Sequence, residues 1–225
     1  MAVNVVFTPD DAAPAAVGIV VDVLRATSTI AQALAAGYER VLCCAEIDEA
    51  RALRAELPDS LLGGERKAIR VEGFDVGASP REFLQPRART LILSTTNGTR
   101  AILETARHCE RVLLGSLLNL SAVAGAVEGD DVVVACAGFQ GGFALDDAYC
   151  AGRIVSLLPG ERTHATTAAE LLAHAFPSAL EGLNARTYGP PGLEDDIAYC
   201  AREDLLSAVP ELTGMVGSAA EIMLR

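Results

Sequence analysis

Short apolar runs alternate along the chain with stretches in which apolar residues recur every three or four positions. The runs at 4–8, 17–23, 40–44, 90–94, 111–115 and 131–136 predict strands, and the β-branched residues of 17–23 suit a strand buried on both faces. Helical spacing predicts helices over 27–36, stopped by Gly37, and over 47–57, where Ile47, Ala50, Leu53 and Leu57 share a face ahead of Pro58. Further helices are predicted over 99–105, from a cap near Ser121, and over 145–158, 165–175 and 194–206. Strand followed by helix, repeated in this way, predicts a three-layer α/β/α fold with a mainly parallel or mixed central sheet. From Gly63 to Pro80 the periodicity lapses into a long loop, closed by Ser79-Pro80-Arg81-Glu82 in the form of a helix start. Gly189-Pro190-Pro191-Gly192 punctuates the last third, and no linker marks a boundary. One domain over 1–225, or two intertwined lobes, is the expected organisation.

Composition narrows the class. Hydrophobic residues make up 51% of the 225, mostly Ala, Val and Leu with no Trp, as suits helices packed closely on a parallel sheet. No apolar run approaches the roughly 20 residues of a membrane span. The opening MAVNVVFTPDD lacks the basic region of a signal peptide, so a cytoplasmic protein is expected. A net charge of −12 argues against nucleic acid, whose phosphates are gripped by clustered Lys and Arg. Six cysteines without a C-x-x-C pair, all in apolar surroundings, read as buried thiols rather than a disulfide scaffold or zinc site.

Polar residues collect where strands end. Four such junctions, 22–28, 94–99, 115–119 and 136–147, carry hydroxyls and helix starts that could cradle an oxyanion, although Ser, Thr and Asn also cap helices there. Asp22, Glu65, Asp75, Asp146 and Asp147 stand in Gly-rich or strand-end contexts suited to magnesium, with first-turn helix stabilisation as the alternative for Asp146 and Asp147. Asp22 ends a strand that is otherwise buried and so needs a partner. Arg25 either supplies it or grips an anion, and Arg66 is a second grip, whereas Arg100 reads as a solvated helix residue. His108, His164 and His174 lie in no motif. There is no G-x-x-x-x-G-K-[ST], no second acid after Asp22-Val23, no Arg where Cys136 would need one and no G-x-S-x-G. A metal-activated water or an Asp nucleophile remains.

Seven ordered blocks resemble the 2-phosphosulfolactate phosphatase family. They are Asp22-Val23-Leu24-Arg25-Ala26-Thr27-Ser28-Thr29; Gly63-Gly64-Glu65-Arg66; Gly73-Phe74-Asp75 with Gly77 and Ser79-Pro80; Thr95-Thr96-Asn97-Gly98-Thr99; Gly115-Ser116 with Asn119; Cys136-Ala137-Gly138 with Asp146-Asp147; and Asp196-Ile197 with Cys200. Ala78 stands where the family usually has Asn, and Ser94 where a third Thr is common. The resemblance implies an α/β/α magnesium-dependent phosphomonoesterase that converts 2-phosphosulfolactate to 3-sulfolactate and phosphate, a step toward coenzyme M.

The resulting expectation places a magnesium ion on Asp22, Glu65, Asp146 and Asp147, with Asp22, Arg25 and Asp147 catalytic. Thr27, Ser28, Thr95, Thr96, Asn97, Gly98 and Thr99 would hold the phosphate together with Arg25. Arg66, Ser79, Ser116 and Gly138 would complete the substrate site. The alternative is a binding protein for a small phosphorylated or sulfonated acid, without turnover. A homodimer is the expected assembly.

Overall fold

A computed structural model describes residues 1–11, 13–127, 129–186 and 192–225. The chain runs β1 (Ala2–Val6), β2 (Ala15–Val21), α1 (Ala26–Ala35), β3 (Arg40–Cys44), α2 (Ile47–Glu56), β4 (Leu61–Arg66), β5 (Ile69–Arg70), β6 (Thr90–Ser94) and α3 (Gly98–Thr105). It continues through β7 (Cys109–Gly115), α4 (Leu120–Gly125), β8 (Val132–Cys136), α5 (Leu145–Val155), β9 (Glu161–Arg162), α6 (His164–His174), α7 (Ala179–Asn184), α8 (Glu194–Cys200), β10 (Pro210–Val216) and β11 (Ala219–Leu224).

Among the described residues the strands form one sheet in the order β5-β4-β6-β3-β11-β10-β7-β2-β8-β1-β9. It consists of two parallel blocks, β4-β6-β3 and β7-β2-β8-β1-β9. The antiparallel hairpin β10–β11 joins them, pairing Glu211 with Leu113 on one side and Ala220 with Cys43 on the other. Alternation along the strands divides the core. Val17, Ile19 and Val21 of β2 face α4, α5 and α6, while Val20 faces Ile30 and Leu34 of α1 and Ile102 of α3. Leu42 and Cys44 of β3 pack on the α2 side with Ala50. Helices thus cover both faces of a mixed, mostly parallel sheet, giving the expected three-layer α/β/α fold.

Several expectations change. The loop expected from Gly63 begins as β4, whose main chain pairs in parallel with β6 and then turns back into β5. The helix expected at Ser79 is a single 3₁₀ turn, Pro80–Phe83. The helix expected to reach residue 206 stops at Cys200, and α7 and the β10–β11 hairpin occupy stretches for which no element was predicted. Of the expected Gly189–Gly192 connection, only Gly192 lies within the described residues. All six cysteines are free, and Cys109 alone is only half-buried. Among the described residues no helix is long and apolar enough to cross a membrane.

Candidate active site

The carboxyl ends of β2, β4 and β6 converge on a cavity of about 330 Å³. Four strands separate β6 from β2 in the sheet, yet Gly98, which opens α3, lies against Asp22. A Cβ at Gly98 would stand 2.8 Å from Asp22 Oδ2 and 2.4 Å from Ala26 Cβ, so only glycine permits this approach. Three acids, Asp22, Glu65 and Asp146, and three cations, Arg25, Lys67 and Arg186, line the cavity. Leu24, Ala26, Ala68, Ala78, Phe139 and Leu193 supply apolar wall.

Asp22 follows the last residue of β2 and is 8% exposed. Its Oδ1 accepts from Ala26 N at 3.1 Å, while Oδ2 has no hydrogen-bond donor among the described residues. Burial pushes its pKa up to about 7, the Ala26 bond opposes that rise, and the negative charges of Glu65 and Asp146 add to it. Arg25 lowers it only at a distance, because its guanidinium is engaged elsewhere. Nη1 reaches Asp196 Oδ2 at 2.6 Å and Nη2 reaches Ala68 O at 3.1 Å. Arg25 and Asp196 are both buried, and Ser79 Oγ donates to the other Asp196 oxygen at 2.5 Å. Arg25 is therefore neither the direct partner of Asp22 nor a free guanidinium.

Glu65 ties two walls together. Oε1 accepts from Thr96 N and Thr96 Oγ1, both at 2.8 Å, and Oε2 accepts from Ala68 N at 2.6 Å. Asp147 lies behind the cavity, not in its described lining. Its two oxygens accept from Val23 N at 2.9 Å and Gly138 N at 3.0 Å. Burial, then the charges of Asp146 and Asp22, push its carboxyl well above the usual range, against those two bonds. Asp147 fastens the end of β2 to the loop after β8, whereas Asp146 reaches the cavity and accepts from Asp147 N at 3.1 Å.

The hydroxyls expected to cradle an anion turn back on the main chain instead. Thr27 Oγ1 bonds Asp22 O at 2.9 Å, Ser28 Oγ bonds Val23 O at 2.8 Å and Thr29 Oγ1 bonds Ala78 O at 2.8 Å. Thr95 Oγ1 accepts from Thr99 N at 3.3 Å, and Thr95, Thr96 and Asn97 are the members of that loop on the cavity. Arg66, expected on the substrate, donates to Glu65 O, Ala45 O, Ser94 O and Ser94 Oγ, and braces β4 against β6. Ser116 is wholly buried and donates through N and Oγ to Asn119 Oδ1. Asp75 accepts from Leu62 N, and exposed Arg100 pairs with Asp10. Most of these groups are thus satisfied within the protein, by neighbouring backbone or by side chains such as Asn119 and Ser94, the usual outcome for polar groups at strand ends.

Lys67, Phe139, Gln140, Arg186 and Leu193 complete the lining but were not singled out from sequence. The signal for Lys67 was a basic residue two positions beyond Glu65, obscured because that stretch read as loop. Nothing local marks Arg186 or Leu193. The donor set suits magnesium: Asp22 and Asp146 are hard oxygen donors, Asp22 Oδ2 lacks a protein donor, and like charge raises the Asp22 pKa. Among the described residues no group of three or more His, Cys, Asp or Glu side chains could hold a metal ion unaided. Magnesium is commonly held by one or two carboxylates together with water and substrate phosphate.

A family model described as 2-phosphosulpholactate phosphatase matches residues 6–215. A protein of Gloeobacter violaceus named probable 2-phosphosulfolactate phosphatase is 41% identical over 218 residues, covering 92% of this chain and 89% of the relative. Proteins of the same name from Thermus thermophilus and Clostridium acetobutylicum are 39% and 38% identical, over 89% and 87% of this chain and 90% and 88% of theirs.

Proposed function

The chain belongs to the 2-phosphosulpholactate phosphatase family, and from that membership we propose that it is a magnesium-dependent phosphomonoesterase. Its substrate is 2-phosphosulfolactate or a closely related small anionic phosphoester, and its products are 3-sulfolactate, or the corresponding alcohol, and phosphate. The observation that carries this reading is Asp22: a buried carboxylate on the cavity wall, with one oxygen fixed by Ala26 N and the other lacking a protein donor.

Asp22 and Asp146 hold the magnesium in this reading, with Glu65 fixing the wall beside them. Bound there, the ion would polarise the phosphoryl oxygens and acidify a water. Asp22 orients the attacking water through Oδ2. Arg25, immobilised by Asp196 and Ala68 O, offsets charge that builds on the phosphoryl oxygens as the bond from phosphorus to the alkoxide breaks. Leu24, Ala26, Ala78 and Leu193 limit the water around the reacting group and so strengthen these interactions.

Phosphate release from 2-phosphosulfolactate, measured with magnesium and with a chelator, tests the reading. Turnover that depends on the ion is expected. If no phosphomonoester is hydrolysed while 3-sulfolactate still raises the melting temperature, the protein is a binder and the enzyme reading falls. Phosphate trapped covalently on Asp22 would replace the attacking water with Asp22 as nucleophile.

A further inference from the structure

Lys67 and Ala68 form the two-residue connection between β4 and β5, in which Arg66 pairs with Ile69. Both connecting residues are left-handed, with φ of 53° and 62°. A two-residue hairpin turn of this kind normally places Asn, Asp or Gly there, because other side chains strain the backbone. Here neither residue is of that type. The turn is held from two directions: Ala68 N donates to Glu65 Oε2, and Ala68 O accepts from Arg25 Nη2. The tip is thus clamped by two residues that themselves line the cavity, and it forms part of the cavity wall.

The cations on that wall are differently occupied. Arg25 is committed to Asp196 and Ala68 O. Lys67 lines the same cavity and has no hydrogen bond or ion pair among the described residues, although Glu65 is only two residues away. A strained turn, clamped in place, puts Lys67, an exposed cation with no hydrogen bond or ion pair among the described residues, on the wall of this cavity. We infer that Lys67 determines specificity by contacting an acidic group of the substrate remote from its phosphate, the sulfonate or carboxylate of the acid portion. This inference rests on the phosphatase reading for the identity of the substrate, but concerns only how the acid portion is held.

Calorimetric titration of wild type, Lys67→Gly and Lys67→Arg with 3-sulfolactate and, separately, with inorganic phosphate tests it without requiring turnover. Lys67→Gly is expected to bind 3-sulfolactate about tenfold more weakly, the loss of roughly one charge-assisted contact. Its phosphate affinity is expected to stay unchanged, and Lys67→Arg is expected to restore 3-sulfolactate binding. The thermal midpoint of Lys67→Gly should be no lower than that of wild type, because glycine relieves the left-handed turn. Equal 3-sulfolactate affinity in wild type and Lys67→Gly, an equal loss for both ligands, or no binding of 3-sulfolactate to wild type overturns the inference. Hydrolysis of 2-phosphosulfolactate by the same wild-type sample separately decides the phosphatase reading.

Discussion

The turn after β2 and the turn after β7 leave adjacent parallel strands, and Val21 pairs with Gly115, so Asp22 and Ser116 occupy equivalent positions. Their polar groups end differently. Ser116 gives both N and Oγ to Asn119 Oδ1, and the Asn119 amide donates to Leu114 O at 3.1 Å and Ala208 O at 3.0 Å. That closes the second turn on itself and on the segment leading to β10. At the first turn the main chain is satisfied by Thr27 and Ser28, and one carboxylate oxygen of Asp22 is left over. A hydroxyl-rich strand end therefore satisfies its own backbone, and a reactive site is recognised by the charged group for which that satisfaction leaves an oxygen free.

The sharpest way to break the contrast is Asp22→Asn, which keeps the shape and removes the charge. Hydrolysis is expected to fall about 10³-fold. Stability should move the other way. The folded pKa of Asp22, about 7, lies above the ordinary carboxylate value, so the stability it contributes is present at pH 4 and lost as pH rises through 7. In chelator, Asp22→Asn should raise the melting temperature at pH 8, by an amount equivalent to about 2–4 kcal/mol, and leave it nearly unchanged at pH 4. A drop in stability at pH 8 would overturn the assignment of Asp22 as a penalised buried charge.

Next in size is Asp196→Ala, which leaves the Arg25 guanidinium buried without its partner. A destabilisation of about 3 kcal/mol is expected in denaturant titration, together with a lower kcat, since Arg25 would no longer be held in place. Unchanged kcat in a folded variant would mean that Arg25 does not serve the phosphoryl group. The smallest effect expected is at the closed turn. Asn119→Ala should cost about 2 kcal/mol, from buried acceptors at Leu114 and Ala208 left unpaired, with kcat/KM per folded molecule unchanged. A loss of activity there would dissolve the distinction between the two turns.

The layers of the fold were legible because β2 and β8 are continuous apolar runs, β7 ends in one over 112–115, and helices with one apolar stripe follow, all local signals. The hairpin β10–β11 was not, because the strands that define it, β3 and β7, lie far away in sequence and its Gly-containing segments carry weak periodicity. β4 was hidden for a similar reason: Gly63 and Gly64 suggest a loop, and only pairing with β6 makes them strand. At the site, Asp22, Glu65, Asp146, Arg25, Thr95, Thr96 and Asn97 were legible as strand-end polar residues and do line one cavity. Arg66, Ser79 and Ser116 carry the same sequence signal, but Ser94 and Ala45 for Arg66, Asp196 for Ser79 and the nearby Asn119 for Ser116 turn their side chains into the framework. Residue type announced polarity; tertiary contacts decided where each polar atom points.

The seam formed by β10 and β11 also bears on how the cavity comes into being during synthesis. The ribosome delivers both parallel blocks before it delivers the hairpin that sits between them, and the pairing of β11 with β3, which sets Ala220 against Cys43, spans more of the chain than any other strand pairing among the described residues. Until those strands are made, β3 and β7 each have an open edge, an invitation to pair with the wrong chain. The wall carrying Asp22 and the wall carrying Glu65 and Thr96 belong to different blocks. Their registration thus waits on strands translated after both blocks, and the nascent protein is exposed to mispairing until they arrive.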